Sequence, residues 1–145
     1  MDSTALILAA EDEETDRLLL LIALQQAGLT NPLTFVCDGQ EAIQYLAGDA
    51  PYTNRAIHPL PGLLLLDLKM PRLTGFDVLE WLACRPELAY LPVVVLSSSS
   101  LQTDLDRARQ LGARDYLIKP HSYRVLIGML QDIAQRWLVR APRAA

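Results

Sequence analysis

The chain has 145 residues, of which 51% are apolar and 21% are charged, and its formal net charge is −4 at neutral pH. This length suits one domain with a real hydrophobic core, the composition excludes a disordered chain, and the acidic balance argues against a surface for nucleic acid or anionic lipid. No apolar run approaches the roughly 20 residues of a membrane helix. The N-terminal segment "MDSTALILAA" has no basic residues ahead of its apolar stretch, so we expect no signal peptide and a cytoplasmic protein without membrane contact. Cys37 and Cys84 lack metal-type spacing and are expected to be reduced packing residues, although the sequence leaves a disulfide open.

Five short apolar stretches predict β-strands. Three of them are apolar at consecutive positions, which is typical of strands in a parallel sheet that is covered on both faces. The predicted strands are residues 5–10, 33–37, 62–68, 92–97 and 114–119.

Helix signals follow each of these strands. The first predicted helix, residues 14–27, is rich in Leu, Ala and Gln and ends at Gly28. Residue pairs with capping spacing, or a capping residue alone, predict the starts of the next three helices. These are Asp38 with Glu41, Thr74 ahead of a helix over 75–85, and Ser99 with Gln102. The last helix carries apolar residues at i, i+3, i+4, i+7 and i+11, namely Leu126, Met129, Leu130, Ile133 and Trp137.

The alternation of strands and helices predicts an α/β fold of the (βα)₅ type, a doubly wound five-stranded parallel sheet. Residues 48–61 have no periodicity and are predicted to be a long loop before the third strand, and the tail 139–145 is predicted to be frayed. We expect residues 1–145 to form a single domain, with its core over about residues 4–138.

Polar residues stand where the predicted strands end. Glu11 and Asp12 follow the first strand, Asp67 the third, Ser97 the fourth and Lys119 the fifth. Taken singly, each has an ordinary structural explanation, such as a helix cap, a polar loop or a solvated lysine. Because the carboxyl ends of parallel strands meet at one edge of the sheet, we expect these side chains to share a pocket.

The charges in this pocket predict its chemistry. Two carboxylates about 4 Å apart repel by about 4 kcal/mol at an effective dielectric constant near 20, so the cluster must bind a proton or a cation. A small set of oxygen ligands favours Mg²⁺, which often shares its coordination shell with a phosphoryl group. A carboxylate can act as the nucleophile that forms an aspartyl phosphate, with a lysine and a hydroxyl stabilising the transferred group.

The stretches "LILAAED", "LLLLDLKMPRLTGFDVLEWL", "LPVVVLSSS" and "GARDYLIKP" occur in this order along the chain. On these motifs the chain resembles the receiver domain of two-component response regulators. The resemblance implies the flavodoxin-like strand order 2-1-3-4-5. The long loop before the third strand and the lack of an output domain are similar to the small single-domain regulators that partner phytochrome-type histidine kinases, so no DNA-binding domain is expected.

Position by position, the resemblance implies that Asp67 is the phosphoacceptor. Asp12 would ligate Mg²⁺ directly, Glu11 mainly through water, and the backbone carbonyl of Lys69 would be a further ligand. Glu11 stands where many family members have Asp. The side chain of Lys69 could either lean over the pocket or point to solvent.

The resemblance also implies which residues contact and sense the phosphoryl group. Lys119 would contact a phosphoryl oxygen, and Ser98 would offer its backbone N–H. Ser97 would be the switch hydroxyl. Tyr116 would be the aromatic switch residue, outward before phosphorylation and inward after it. The Lys119–Pro120 bond is expected to be cis.

The resemblance therefore implies a signalling switch that catalyses only its own phosphorylation and dephosphorylation, and no other enzyme activity. A sensor histidine kinase would supply the phosphoryl group, and the surface of the fourth helix, fifth strand and fifth helix would change. The downstream protein target is not given by the sequence, and the last two helices could form a homodimer surface.

Three other functions fit the sequence less well. A receiver-like interaction module that works without phosphorylation usually lacks the acceptor aspartate or the lysine, and both are present here. A haloacid-dehalogenase-like phosphatase would want a second Asp two residues after the nucleophile, where this chain has Lys69. A dinucleotide-binding enzyme would want G-x-G-x-x-G after the first strand, and that motif is absent.

Overall fold

A computed structural model describes residues 4–138 of the chain, so the predicted frayed tail at 139–145 lies outside the described residues. Five strands form one parallel sheet in the order β2-β1-β3-β4-β5, which confirms the predicted order. The strands are β1 (Leu6–Ala10), β2 (Leu33–Val36), β3 (Pro61–Leu66), β4 (Val93–Ser97) and β5 (Asp115–Ile118). The helices are α1 (Glu14–Gln26), α2 (Gly39–Ala47), α3 (Gly75–Ala83), α4 (Gln102–Gln110) and α5 (Tyr123–Trp137), with a short 3₁₀ helix over Pro86–Leu88.

The sheet divides the core into two layers. Alternate residues of β3 point to opposite faces, so Leu64 and Leu66 pack with α2, α3 and α4, whereas Leu63 and Leu65 pack with α1 and α5. All four leucines are buried, and burying each contributes about 1.5–3 kcal/mol, which explains why the strand is apolar at consecutive positions. Within residues 4–138, no helix is both long enough and apolar enough to cross a membrane.

Capping residues fix the starts of three helices. Asp38 accepts a hydrogen bond from the backbone N–H of Glu41 at the start of α2, and Ser122 accepts one from Val125 N at the start of α5. Thr74 forms a reciprocal capping box with Asp77, the third residue of α3.

The predicted cap of α4 is wrong. The N-cap residue is Leu101, which makes no side-chain cap hydrogen bond. The Ser99 hydroxyl instead accepts a hydrogen bond from Leu101 N and donates one to Asp104 Oδ2. A serine that bonds to the N–H group two residues ahead forms a turn before the helix rather than capping it.

The long loop between α2 and β3 is held by side chains. Its Arg55 donates hydrogen bonds to the backbone carbonyls of Tyr45 (2.9 Å) and Leu46 (2.9 Å) in the last turn of α2, and to that of His58 (3.2 Å). The ring of Tyr52 lies 4.9 Å from that of Tyr45 and 5.2 Å from that of His58, measured between centroids. His58 therefore belongs to an aromatic cluster with Tyr45 and Tyr52.

Both cysteines lie at the surface. Cys37 and Cys84 are free thiols with exposed side chains, so the expectation that they are packing residues is wrong. Each follows an element rather than lying inside one, Cys37 after β2 and Cys84 after α3, where the chain turns toward solvent.

Candidate functional site

Three carboxylates meet at the carboxyl edge of the sheet. Glu11 and Asp12 follow β1, and Asp67 follows β3, the neighbouring strand. One carboxylate oxygen from each residue lies within 4.8 Å of the others. The Asp67 backbone N–H donates to the carbonyl of Ala10 at 3.2 Å, so sheet pairing itself brings the two strand ends together. Glu11 and Asp67 are buried, whereas Asp12 is half-buried.

Lys119 carries its ammonium group into this cluster from the end of β5. Its Nζ atom lies 3.0 Å from Glu11 Oε1 and 3.1 Å from Asp67 Oδ2. Its backbone N–H donates to the carbonyl of Ser97 at 2.7 Å, which anchors the residue to the end of β4. The structure thus brings together four of the site residues predicted from the sequence, Glu11, Asp12, Asp67 and Lys119.

Two residues of α1 join the site, and the sequence analysis missed both. Asp16 Oδ2 lies 3.0 Å from Lys119 Nζ. The guanidinium of Arg17 donates to the backbone carbonyls of Glu11 (3.0 Å) and Asp12 (2.9 Å), which fixes the chain that carries the acidic pair. The sequence pattern gives no signal for either residue, because their positions depend on the rotation of α1 about its axis.

Burial and crowding shift the ionisation of these groups. Burial, followed by the nearby carboxylates of Asp67 and Asp16, raises the pKa of Glu11 to about 9. The contact with Glu11, followed by that with Lys119, lowers the pKa of Asp16 against a smaller opposing effect of burial. Burial alone would lower the pKa of Lys119, but its contacts with Glu11, Asp67 and Asp16 outweigh burial and raise it. Lys119 is therefore a fixed positive charge in the site.

Two glycines hold the segment between Asp67 and α3. Gly75 N donates to the carbonyl of Leu68 at 3.1 Å, and Gly39 N, at the start of α2, donates to the carbonyl of Leu73 at 3.0 Å. A Cβ atom at position 39 would lie 2.1 Å from that same carbonyl oxygen, so only glycine fits there. The turn after Asp67 is thereby clamped between α2 and α3, and the direction of the Asp67 side chain is set by backbone contacts.

Ser99 links the end of β4 to β5 and α4. Ser97 is fully buried, and its Oγ accepts a hydrogen bond from Ser99 N at 3.2 Å. The Tyr116 hydroxyl donates to the carbonyl of Ser99 at 2.9 Å, and the Tyr116 side chain is buried, so the structure has the inward orientation. Ser98 is exposed at the carboxyl edge. The Ser99 hydroxyl donates to Asp104 in α4. Ser99 therefore contacts β4, β5 and α4.

Two expectations for lysine residues are resolved by the geometry. The side chain of Lys69 is exposed and makes no ion pair within residues 4–138, so the solvent-facing alternative is the one observed. Ala50–Pro51 is the one cis peptide bond in the described part of the chain, so the expectation of a cis Lys119–Pro120 bond is wrong. A trans X–Pro bond is favoured by about 0.5–1 kcal/mol, and Lys119 is oriented by Ser97 and by its carboxylate partners instead.

The donor set fits a hard divalent cation. The three clustered carboxylates offer only oxygen ligands, and Glu11 Oε2 is buried without a hydrogen-bond partner among the described residues. A buried carboxylate oxygen without a partner is costly, and a cation or its bound water would satisfy it.

The family model for the response regulator receiver domain matches residues 7–131. The chain belongs to this family. Among curated relatives of this receiver domain, the response regulator Rcp1 of Synechocystis sp. is 33% identical over 132 residues, which cover 91% of this chain and 88% of Rcp1.

Solved response regulators share the whole fold of this receiver domain. The crystal structure of RPA3017, a response regulator in red light signalling of R. palustris, gives a TM-score of 0.88 at 30% identity, covering 97% of this chain and 99% of that one. The phosphorylated cyanobacterial phytochrome response regulator RcpA gives 0.85 at 31% identity, with the same coverage. The Mn²⁺-bound form of Rcp1 gives 0.82 at 32% identity, covering 96% of this chain and 99% of that one.

Proposed function

We propose that this receiver domain is a switch that accepts a phosphoryl group on Asp67. The observation that carries the proposal is the position of the Asp67 carboxylate, 3.1 Å from Lys119 Nζ and within the cluster formed with Glu11 and Asp12. A nucleophilic carboxylate beside a fixed cation and a metal-type ligand set is what phosphoryl transfer to an aspartate requires.

In the transfer, one bond to phosphorus forms as another breaks. An Asp67 carboxylate oxygen attacks phosphorus and forms an O–P bond, while the P–N bond of a phosphohistidine breaks and its electron pair returns to the imidazole nitrogen. Lys119 would offer positive charge to a phosphoryl oxygen, and Ser98, an exposed residue at the carboxyl edge, would offer its backbone N–H group. Hydrolysis by water then restores the Asp67 carboxylate and releases inorganic phosphate.

Asp12, Asp67 and the backbone carbonyl of Lys69 would hold Mg²⁺, with Glu11 acting through water. When bound, the ion supplies charge neutralisation for the phosphoryl oxygens. The support from this chain is the oxygen-only donor set with its unpartnered buried Glu11 oxygen, and the related Rcp1 has been solved with Mn²⁺.

The response would pass through Ser99. A phosphoryl group on Asp67 offers new acceptors to the buried Ser97 hydroxyl, which now accepts from Ser99 N. When Ser97 turns, Ser99 loses that contact, and its carbonyl and hydroxyl hold Tyr116 and Asp104. The surface of α4, β5 and α5 would therefore shift between two packings.

The phosphoryl donor we propose is a sensor histidine kinase of the phytochrome type. The support is the full-length similarity to RcpA and RPA3017, whose structures are described as regulators in phytochrome and red light signalling. The regulator would act by binding a downstream protein, and the α4–α5 surface is the candidate surface for a homodimer.

Intact-protein mass after incubation with acetyl phosphate and Mg²⁺ tests the proposal. We expect the added mass of one phosphoryl group, which Asp67→Asn abolishes. The matched control is Asp49→Asn, because Asp49 is an exposed aspartate whose side chain makes no hydrogen bond or ion pair with any other residue of 4–138. Neutral hydroxylamine should remove the added mass, since it cleaves an acyl phosphate and leaves a phosphoserine ester intact.

Added mass that persists in Asp67→Asn, or that resists hydroxylamine, would assign the modification to another residue. No added mass with acetyl phosphate, phosphoramidate or a panel of histidine kinases would favour the alternative, an interaction module that works without phosphorylation.

A further inference from the structure

Lys119 has no spare proton in this structure. Its ammonium group has three N–H donors, and three carboxylate oxygens accept them, those of Glu11 (3.0 Å), Asp16 (3.0 Å) and Asp67 (3.1 Å). A phosphoryl group on Asp67 adds oxygens that also need this ammonium. To contact one of them, Lys119 must therefore release one of its present partners.

Asp16 is the partner that is easiest to release. Its side chain is 39% exposed, whereas those of Glu11 and Asp67 are 5% and 9% exposed. Water can replace an ion pair at an exposed carboxylate at little cost, but a buried carboxylate that loses its cation is strongly destabilised. A cavity of about 100 Å³ also opens beside these four side chains, which leaves room for the Lys119 side chain to move.

The backbone also holds Glu11 and Asp67 more firmly than Asp16. Glu11 and Asp67 each follow a central strand directly, so sheet pairing fixes them. Asp16 belongs to the first turn of α1, and its contact joins that helix to the end of β5.

We propose that Asp16 is a positioning residue that holds the Lys119 ammonium toward α1 and gives it up to the phosphoryl group. The inference rests on the proposed function, because it describes how one of that site's groups is held between turnovers. Asp16 competes with Asp67 and with the incoming phosphoryl group for the Lys119 ammonium. It therefore slows the transfer that Lys119 assists.

Asp16→Asn is the variant that tests this role. The amide keeps the size and one acceptor oxygen but loses the charge, so Lys119 moves toward Asp67 and phosphorylation becomes faster. We expect about a two- to five-fold gain in rate. This factor corresponds to the free energy of an ion pair at this degree of exposure. Asp16→Glu keeps the charge and should retain the rate of the unmodified protein.

Two small donors separate Lys119 positioning from simple repulsion. Acetyl phosphate carries a larger net negative charge than phosphoramidate, yet both transfer the same PO₃ unit. Release of Lys119 should therefore speed both reactions by a similar factor, measured at saturating Mg²⁺ by intact mass over time. A gain confined to acetyl phosphate would show repulsion of the donor and would overturn the proposal.

Glu14→Gln is the matched control, because Glu14 is an exposed acid in the same turn of α1 and has no contact with Lys119. Its rate should be unchanged, and an equal gain in Glu14→Gln would also overturn the proposal. Thermal melting of each variant checks folding, and Asp16→Ser carries the same expectation if Asp16→Asn does not fold.

The outcomes distinguish this inference from the proposed function. Phosphorylation of the unmodified protein with an unchanged rate in Asp16→Asn refutes the role of Asp16 alone. No phosphorylation of the unmodified protein by any donor refutes both.

Discussion

Gly75 packs directly against the backbone carbonyl of Asp67. A Cβ atom at position 75 would lie 2.3 Å from that carbonyl oxygen and 2.8 Å from the Cα atom of Leu68. Both neighbours are backbone atoms, so they cannot rotate away as a flexible side chain could. The first residue of α3 and Asp67 are therefore mutually constrained.

Gly75→Ala should destabilise the protein by about 1–3 kcal/mol and slow phosphorylation, because the added methyl group must displace the chain that carries Asp67. Urea unfolding measures the first effect and intact mass over time the second. Gly128→Ala is the control, since a Cβ there meets nothing within 4 Å, and helix propensity predicts a gain of about 0.5–1 kcal/mol. Equal stability of Gly75→Ala and the unmodified protein would contradict this geometry.

Asp12→Asn should stabilise the protein in EDTA while weakening its response to Mg²⁺. Removing the charge of the half-buried Asp12 relieves its repulsion with the Asp67 carboxylate, which is about 1 kcal/mol at the dielectric constant of water and corresponds to a rise in melting temperature of about 2–5 °C. Mg²⁺ at a hundred times its Kd would stabilise the unmodified protein by about 2.7 kcal/mol, and the variant should gain less.

Calorimetry with and without Mg²⁺ checks both halves of this prediction. Glu13→Gln is the control, because Glu13 is the exposed neighbour of Asp12 and makes no side-chain cap hydrogen bond. If Asp12→Asn melts at a lower temperature in EDTA, or if Mg²⁺ stabilises it as much as the unmodified protein, these carboxylates do not repel one another at a cation site.

Tyr116→Phe should lower the free energy of unfolding by about 0.5–1.5 kcal/mol, because the Ser99 carbonyl loses the hydroxyl that donates to it. Phosphorylation of Asp67 should still occur, but the accompanying change in hydrogen exchange over residues 98–110 should shrink. Tyr123→Phe is the control, since Tyr123 lies exposed at the start of α5. An undiminished exchange response in Tyr116→Phe would remove Tyr116 from the path of the switch.

Arg55→Ala should destabilise the protein by about 1–3 kcal/mol, because three backbone carbonyls lose a charged donor, two of them at the end of α2. Arg55→Lys should recover only part of this loss, since an ammonium lacks the planar fork. Arg109→Ala, an exposed arginine of α4, is the control in the same urea titration. The phosphorylation rate of Arg55→Ala should not change, because Arg55 binds the last turn of α2 and has no contact with the site residues Glu11, Asp67 and Lys119.

The strands and the acidic edge could be predicted from the sequence for one physical reason. A buried parallel strand must be apolar on both faces, so "LLLL" before Asp67 marks both the strand and the point where it leaves the core. Parallel strands all end at the same edge, so the proximity of Asp12, Asp67 and Lys119 followed from topology without any knowledge of side-chain packing.

The residues that the sequence analysis missed depend on information that periodicity does not carry. Asp16 reaches Lys119 only because of the rotation of α1 about its axis. Ser99 carries a capping signal, but its hydroxyl accepts from Leu101 N and donates to Asp104 instead of capping the helix, and neither contact follows from residue spacing alone. The loop after α2 has no repeating pattern, and its order comes from the reach of one side chain, Arg55.

The division of the core into two layers has a consequence for Asp67. Asp67 stands at the rim where the layers meet, with Lys119 and Asp16 leading to α1 on one side and Gly75 opening α3 on the other. A change of charge at this one carboxylate is thus mechanically connected to both broad surfaces of the molecule. Two different proteins, one on each side, could read the same event at the same time without competing for space.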